Sequence, residues 1–235
     1  MSLAGAFERV YVINLPHRTD RRREMEADLR RVGVDPASVR FFPARRPEDA
    51  GPFDSIGVRG AFLSHRDVLA EAAADGVETV LVLEDDATFP ADLPAKLEGV
   101  MAALATTDWT LCLLGHLQPK ADGPIERLDP GRSLILAHAN AWRGNATIGE
   151  LVAFLDELLS RPAGDPAGGP MPVDGAFNVF RSRRPELACY FAQPSLAGQR
   201  ASRSDITVRA IDRVPIVREL VTLARKLRRA IVGGR

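Results

Sequence analysis

The run Val80-Leu81-Val82-Leu83-Glu84-Asp85-Asp86 constrains this chain more than any other stretch: four apolar, strand-type residues stop at three consecutive carboxylates. Gathered in one folded site, three acids repel one another, so they call for either bulk water or a hard divalent cation among them. In open α/β sheets ligands bind beyond the carboxyl ends of the strands, which is where this order puts the acids. The triplet alone also fits a solvated acidic turn after a buried strand, and it does not decide between the two.

A chain of 235 residues is long enough for one large α/β core. With 46% hydrophobic and 26% charged residues it has the make-up of a soluble globular enzyme rather than a disordered segment. Lys and Arg together number 31, as do Asp and Glu, so the overall charge gives no case for nucleic acid. Cys112 and Cys189 each sit in an apolar segment and lack zinc-ligand spacing, which makes them small core residues. A basic leader and a membrane-length apolar run are both missing from the sequence. The expectation is a cytoplasmic, bacterial-type enzyme.

Periodicity predicts strands at residues 10–15, 39–42, 79–83, 109–114 and 187–192. Helices are expected over residues 18–31, with Thr19 or Asp20 as cap and Gly33 as stop, and over 61–74, 93–105 and 147–159. The last would open on the capping box Thr147-Ile148-Gly149-Glu150. Residues 43–60 read as a long loop rich in Pro, Arg and Gly, and a loop of that length is more often functional than idle. Residues 116–132 read as polar turns, 133–139 as extended, and 161–172 as a surface loop dense in Pro and Gly. Residues 215–231 read as an amphipathic helix with a basic face, suited to packing on its own domain, to a second subunit, or to an anionic membrane surface.

Several separated segments resemble glycosyltransferase family 25, which includes lipooligosaccharide galactosyltransferases and collagen hydroxylysine galactosyltransferases. They are Val10-Tyr11-Val12-Ile13-Asn14-Leu15 with Arg18 and Arg21-Arg22, then Gly60-Ala61-Phe62-Leu63-Ser64-His65, Leu83-Glu84-Asp85-Asp86-Ala87, Pro172-Val173-Asp174, and Ser204-Asp205-Ile206. They occur in the family's order and span roughly the first 206 residues, and as an ordered set they are more specific than any one alone. The regions around residues 138–142 and 161–172 depart from the family pattern, which bears on the acceptor more than on the donor.

The resemblance implies a GT-A-like, Rossmann-type mixed sheet flanked by helices: a transferase domain over residues 1–206 and a basic C-terminal helix over 207–235. It implies an inverting, metal-dependent transfer of a hexose such as galactose from a nucleotide sugar (a UDP-hexose) to a lipopolysaccharide, lipooligosaccharide or related acceptor. Asp86 and Glu84 are the expected ligands of Mn²⁺ or Mg²⁺, with Glu84 or Asp85 reaching the ribose or a metal-bound water. Asp174 is the expected general base, and it equally fits a helix N-cap. Ser64 and His65 stand at the family's Ser-His position, where the histidine either meets donor phosphates or orients the acids, or is simply structural. Asn14, Arg18 and Arg21 lie at the end of the first strand, where nucleotides bind. Arg200 and Arg203 suit a diphosphate, and Asp205 matches the motif.

Two rival readings follow from the same residues. One is a degenerate relative that binds a nucleotide sugar without turnover, and the other is a metal-dependent phosphohydrolase. The expected location is the cytoplasm, with the basic tail able to bring the chain to the inner membrane.

Overall fold

The computed structural model describes residues 1–117, 122–129, 131–134 and 138–200. Arg203, the Ser204-Asp205-Ile206 motif, the helix expected over 215–231 and the boundary expected at 206/207 lie outside the described residues.

After a short α1 (Leu3–Ala6), the chain runs β1 (Arg9–Asn14), α2 (Thr19–Arg31), β2 (Arg40–Pro43), α3 (Ile56–Ala74) and β3 (Thr79–Glu84). Both β2 and β3 pair with β1 in parallel, so each connection carries a crossover helix, as parallel pairing demands. Beyond β4 (Ala87–Thr88) and α4 (Leu93–Leu104) come β5 (Trp109–Leu113), β6 (Ile125–Arg127) and β7 (Ala139–Arg143). Then follow α5 (Asn145–Ser160), α6 (Val173–Arg183), β8 (Ala188–Ala192) and β9 (Gly198–Gln199). Among the described residues the main sheet has seven strands in the order β2-β1-β3-β7-β5-β8-β6. It is mixed, because β7 runs antiparallel to both β3 and β5, and β6 antiparallel to β8.

Both sheet faces are covered, which is why the central strands read as unbroken apolar runs. The pleat sends Val10, Val12, Leu81 and Leu83 to one face, against Met25 and Leu29 of α2 and Leu93, Leu97 and Val100 of α4. It sends Tyr11, Ile13, Val80 and Val82 to the other, against Phe62 and Leu69 of α3, Leu151 and Leu155 of α5, and Phe177 of α6. Carried past the end of β3, this alternation assigns Glu84 to the α3 side and Asp85 to the α2 side.

Several sequence expectations need correction. Helix α3 starts at Ile56, not at residue 61, with the Ser55 hydroxyl capping the Val58 N–H at 3.2 Å. Gly57 and Gly60, which look like loop glycines, lie inside its first turns. Gly60 is required there: a Cβ on it would stand 2.6 Å from the carbonyl oxygen of Arg45. Helix α5 starts at Asn145 behind Gly144 (φ 96°), so Thr147 and Glu150 do not form the expected cap. Pro172, not Asp174, is the N-cap of α6, and Asp174 sits in its first turn. Strand β6 lies within the stretch expected to be only turns, and central β7 begins where the extended segment was expected to end. Among the described residues no helix is long and apolar enough to cross a membrane.

Candidate active site

The carboxyl ends of β1 and β3 lie side by side, with Ile13 in register with Glu84, so Asn14 and the acidic triplet emerge together. The three acids then part. Both oxygens of Asp85, which is 7% exposed, are engaged: Asn14 Nδ2 donates to Oδ2 at 2.7 Å and Arg21 Nη1 to Oδ1 at 2.8 Å. Asp85 is thus a strut tying β1, α2 and β3 together, its charge answered by a guanidinium that is itself largely buried.

Glu84 faces α3, where His65 Nε2 lies 3.4 Å from its Oε1. Burial pushes the Glu84 carboxyl up, but His65, with His138 and Arg21 behind it, outweighs that and holds the group below its usual range. His65 is 1% exposed, and its ring meets Phe177 of α6 edge-on at 6.1 Å between centroids. This is the geometry of a residue that orients Glu84.

Asp86 is different. Its Oδ1 is buried with no hydrogen-bond partner among the described residues, while its main-chain carbonyl accepts the Arg200 N–H at 2.8 Å. Burial, then the neighbouring Glu84 charge, push its carboxyl up to about 7 against the pull of Arg21. A buried carboxylate oxygen left open beside a second carboxylate is the donor chemistry a hard cation takes. Among the described residues no three His, Cys, Asp or Glu side chains are grouped to hold a metal by themselves. A cation on Asp86 and Glu84 would therefore complete its shell with water and ligand oxygens, as Mg²⁺ usually does.

These residues open into a cleft of about 390 Å³. Of the residues expected at a site, it gathers Arg21, Ser64, His65, Glu84, Asp85 and Asp86. Asn14 supports it through Asp85. Arg18 is not part of its wall and pairs with Asp20 two residues away at 2.9 Å. The Arg200 side chain instead reaches Glu24 of α2 at 2.7 Å. Asp174 is half-buried and stands outside the cleft wall, one turn before the Phe177 that touches His65. Asp205 lies outside the described residues.

The cleft also contains residues that sequence reasoning passed over: His17, Arg45, Arg46 and the exposed Ile56. For Arg45, Arg46 and Ile56 the one signal was the length and arginine content of the loop after β2. Ser64 serves that loop directly. Its hydroxyl donates to the Gly60 carbonyl at 2.6 Å and accepts the Arg45 N–H at 2.8 Å, pinning the loop to α3.

No family model matches the sequence. Among curated proteins, the chain is 27% identical over 202 residues to procollagen galactosyltransferase 1-B of Xenopus laevis, covering 77% of this chain and 32% of that protein. It is 30% identical over 224 residues to the probable inactive glycosyltransferase 25 family member 3 of Rattus norvegicus, covering 81% of this chain and 38% of that protein. The chain thus spans about a third of the length of these relatives. Among solved structures it is similar to a glycosyltransferase involved in glycosylation of the major capsid of PBCV-1, at 12% identity and a TM-score of 0.46 over 79% of this chain and 80% of that one. The curated homologues of this chain are therefore glycosyltransferase 25 family members, matched at modest identity over most of its length.

Proposed function

We propose that this chain is a nucleotide-sugar-dependent, inverting hexosyltransferase that moves galactose from a UDP-sugar to a hydroxyl of a lipopolysaccharide, lipooligosaccharide or related glycan. The observation that carries this reading is Asp86: a buried carboxylate oxygen left without a partner among the described residues, beside Glu84, at the strand end where α/β sheets bind nucleotides. The galactosyltransferase names of the relatives support the donor class.

Asp86 and Glu84 would hold Mn²⁺ or Mg²⁺, which when bound offsets the negative charge growing on a departing diphosphate. His65 keeps Glu84 ionised and aimed, and the Asp85–Arg21–Asn14 strut fixes the strand ends on which both acids sit. Asp174 is the proposed base for the acceptor hydroxyl, delivered by α6 from beside the cleft. The reading includes a cytoplasmic location, with the basic tail meeting the inner membrane.

A second reading, a nucleotide-sugar-binding chain without turnover, is favoured by one observation: Asp174 stands outside the cleft wall. Isothermal titration with UDP, with and without Mn²⁺, should show metal-linked binding for either reading. Slow hydrolysis of UDP-galactose would then favour the enzyme. Asp86→Ala should abolish the metal-linked part of UDP affinity, and Asp174→Ala should spare affinity and remove turnover. Cleavage of simple phosphate esters with no response to UDP would overturn both readings in favour of a phosphohydrolase.

A further inference from the structure

The cleft brings cationic side chains and carboxylates together. Three arginines line it, Arg21, Arg45 and Arg46, beside the histidines His17 and His65. Arg21 is spent on Asp85 at 2.8 Å and Arg45 on Asp67 at 2.5 Å. Arg46 is exposed, lines the cleft, and makes no hydrogen bond or ion pair among the described residues. A lone surface arginine would ordinarily be a solvated side chain of no consequence. Two features of α3 fix the main chain beside this one.

The first is Gly60, whose missing side chain admits the Arg45 carbonyl to the helix surface. The second is the Ser64 hydroxyl, which takes the Arg45 N–H. Both fix the residue next to Arg46, so the loop is pinned while the Arg46 guanidinium stays free. Sheet order does the rest: β1 lies between β2 and β3, so the loop after β2 and the acids after β3 flank the end of β1.

We propose that Arg46 is a specificity residue that grips the diphosphate of the nucleotide ligand from the flank opposite Glu84 and Asp86, with Gly60 and Ser64 as its positioning residues. This rests on the nucleotide-sugar reading given above. A planar guanidinium without a carboxylate partner matches two phosphate oxygens at once, whereas a ribose or a base offers it no charge. The arrangement lets the cleft tell a diphosphate from a monophosphate, because only the longer anion reaches both flanks.

The test is isothermal titration of the wild-type chain and of Arg46→Gln with UDP, UMP and uridine as probes, in EDTA and again in Mn²⁺. Melting curves serve to establish that the exposed substitution leaves the fold intact. Arg46→Gln should weaken UDP binding about tenfold, UMP binding less and uridine binding not at all, with Arg46→Lys recovering part of the loss. Ser64→Ala should lower the UDP-to-uridine affinity ratio although Arg46 is still present, which a purely structural role would leave unmoved. The proposal is overturned if Arg46→Gln binds UDP within twofold of wild type, or if uridine affinity falls as far as UDP affinity. If the wild-type chain binds none of the three probes in either medium, the nucleotide-sugar reading itself fails and the role of Arg46 falls with it.

Discussion

Two titratable side chains with buried polar atoms are handled differently in this molecule. Arg181 of α6 is 3% exposed and is answered in large part by the chain itself: Nη2 donates to the Asp129 carbonyl at 3.0 Å, and Nη1 to the Arg132 carbonyl and Asn178 Oδ1, while Nε has no partner among the described residues. Asn178 also closes a reciprocal pair of hydrogen bonds with the main chain of Leu134. Asp86, just past the end of β3, keeps a buried oxygen with no partner among the described residues. Burial of a charge is costly in both places, so the difference lies in how much of the compensation the fold supplies. Where it supplies more, the charge staples a loop. Where it supplies less, at Asp86, the open oxygen is the one the proposed cation would take.

The largest expected effect breaks the side with more internal partners. Arg181→Met should cost about 3 kcal/mol in chemical denaturation, because it strands the carbonyls of Asp129 and Arg132, and it should leave UDP affinity unchanged. An unaltered midpoint would mean that the guanidinium holds nothing. Asp86→Asn should do the reverse and stabilise the metal-free protein by about 2 kcal/mol at pH 8. With the folded-state carboxyl at about 7 and an ordinary value of 3.8, the folded protein retains a proton that the unfolded chain has lost between roughly pH 4 and pH 7. Stability of the wild type therefore falls as pH rises through that window, the cost is complete above it, and the gain from Asn should vanish by about pH 4. A gain that is flat with pH would show that the Asp86 charge is not its source.

Smaller changes sharpen the comparison. Ser64→Ala should lose about 1 kcal/mol through the freed Arg45 N–H, read from the denaturation midpoint. Arg18→Ala should move UDP affinity less than about twofold in the same titrations, since its guanidinium is engaged two residues away with Asp20 outside the cleft. A larger loss there would place Arg18 at the ligand after all.

What the sequence made legible followed from long, regular patterns. Helix α2 is bounded by Gly33 and β3 is an unbroken apolar run, and both lie where expected. Strand β7 escaped notice because Ala139-Asn140-Ala141 has neither alternation nor bulk: its Asn140 is fully buried and bonds Trp142 Nε1, a satisfaction only the fold reveals. The start of α3 was hidden by glycines whose reason is tertiary. In the site, the gathering of Ser64, His65 and the acids could be foreseen from the motif. The roles of Asp85 and Arg46 could not, because they depend on which neighbouring arginine finds a carboxylate of its own.

The pleat that parts Glu84 from Asp85 has one more consequence. Since the two acids serve opposite layers, exchanging them would keep the composition of the triplet and misdirect each to a helix whose partner does not suit it. Deleting a single residue from β3 would do the same to the whole set. Spelling, rather than acidity, is what this strand end must preserve, and Glu84→Asp combined with Asp85→Glu is a change that preserves net charge and yet should disable it.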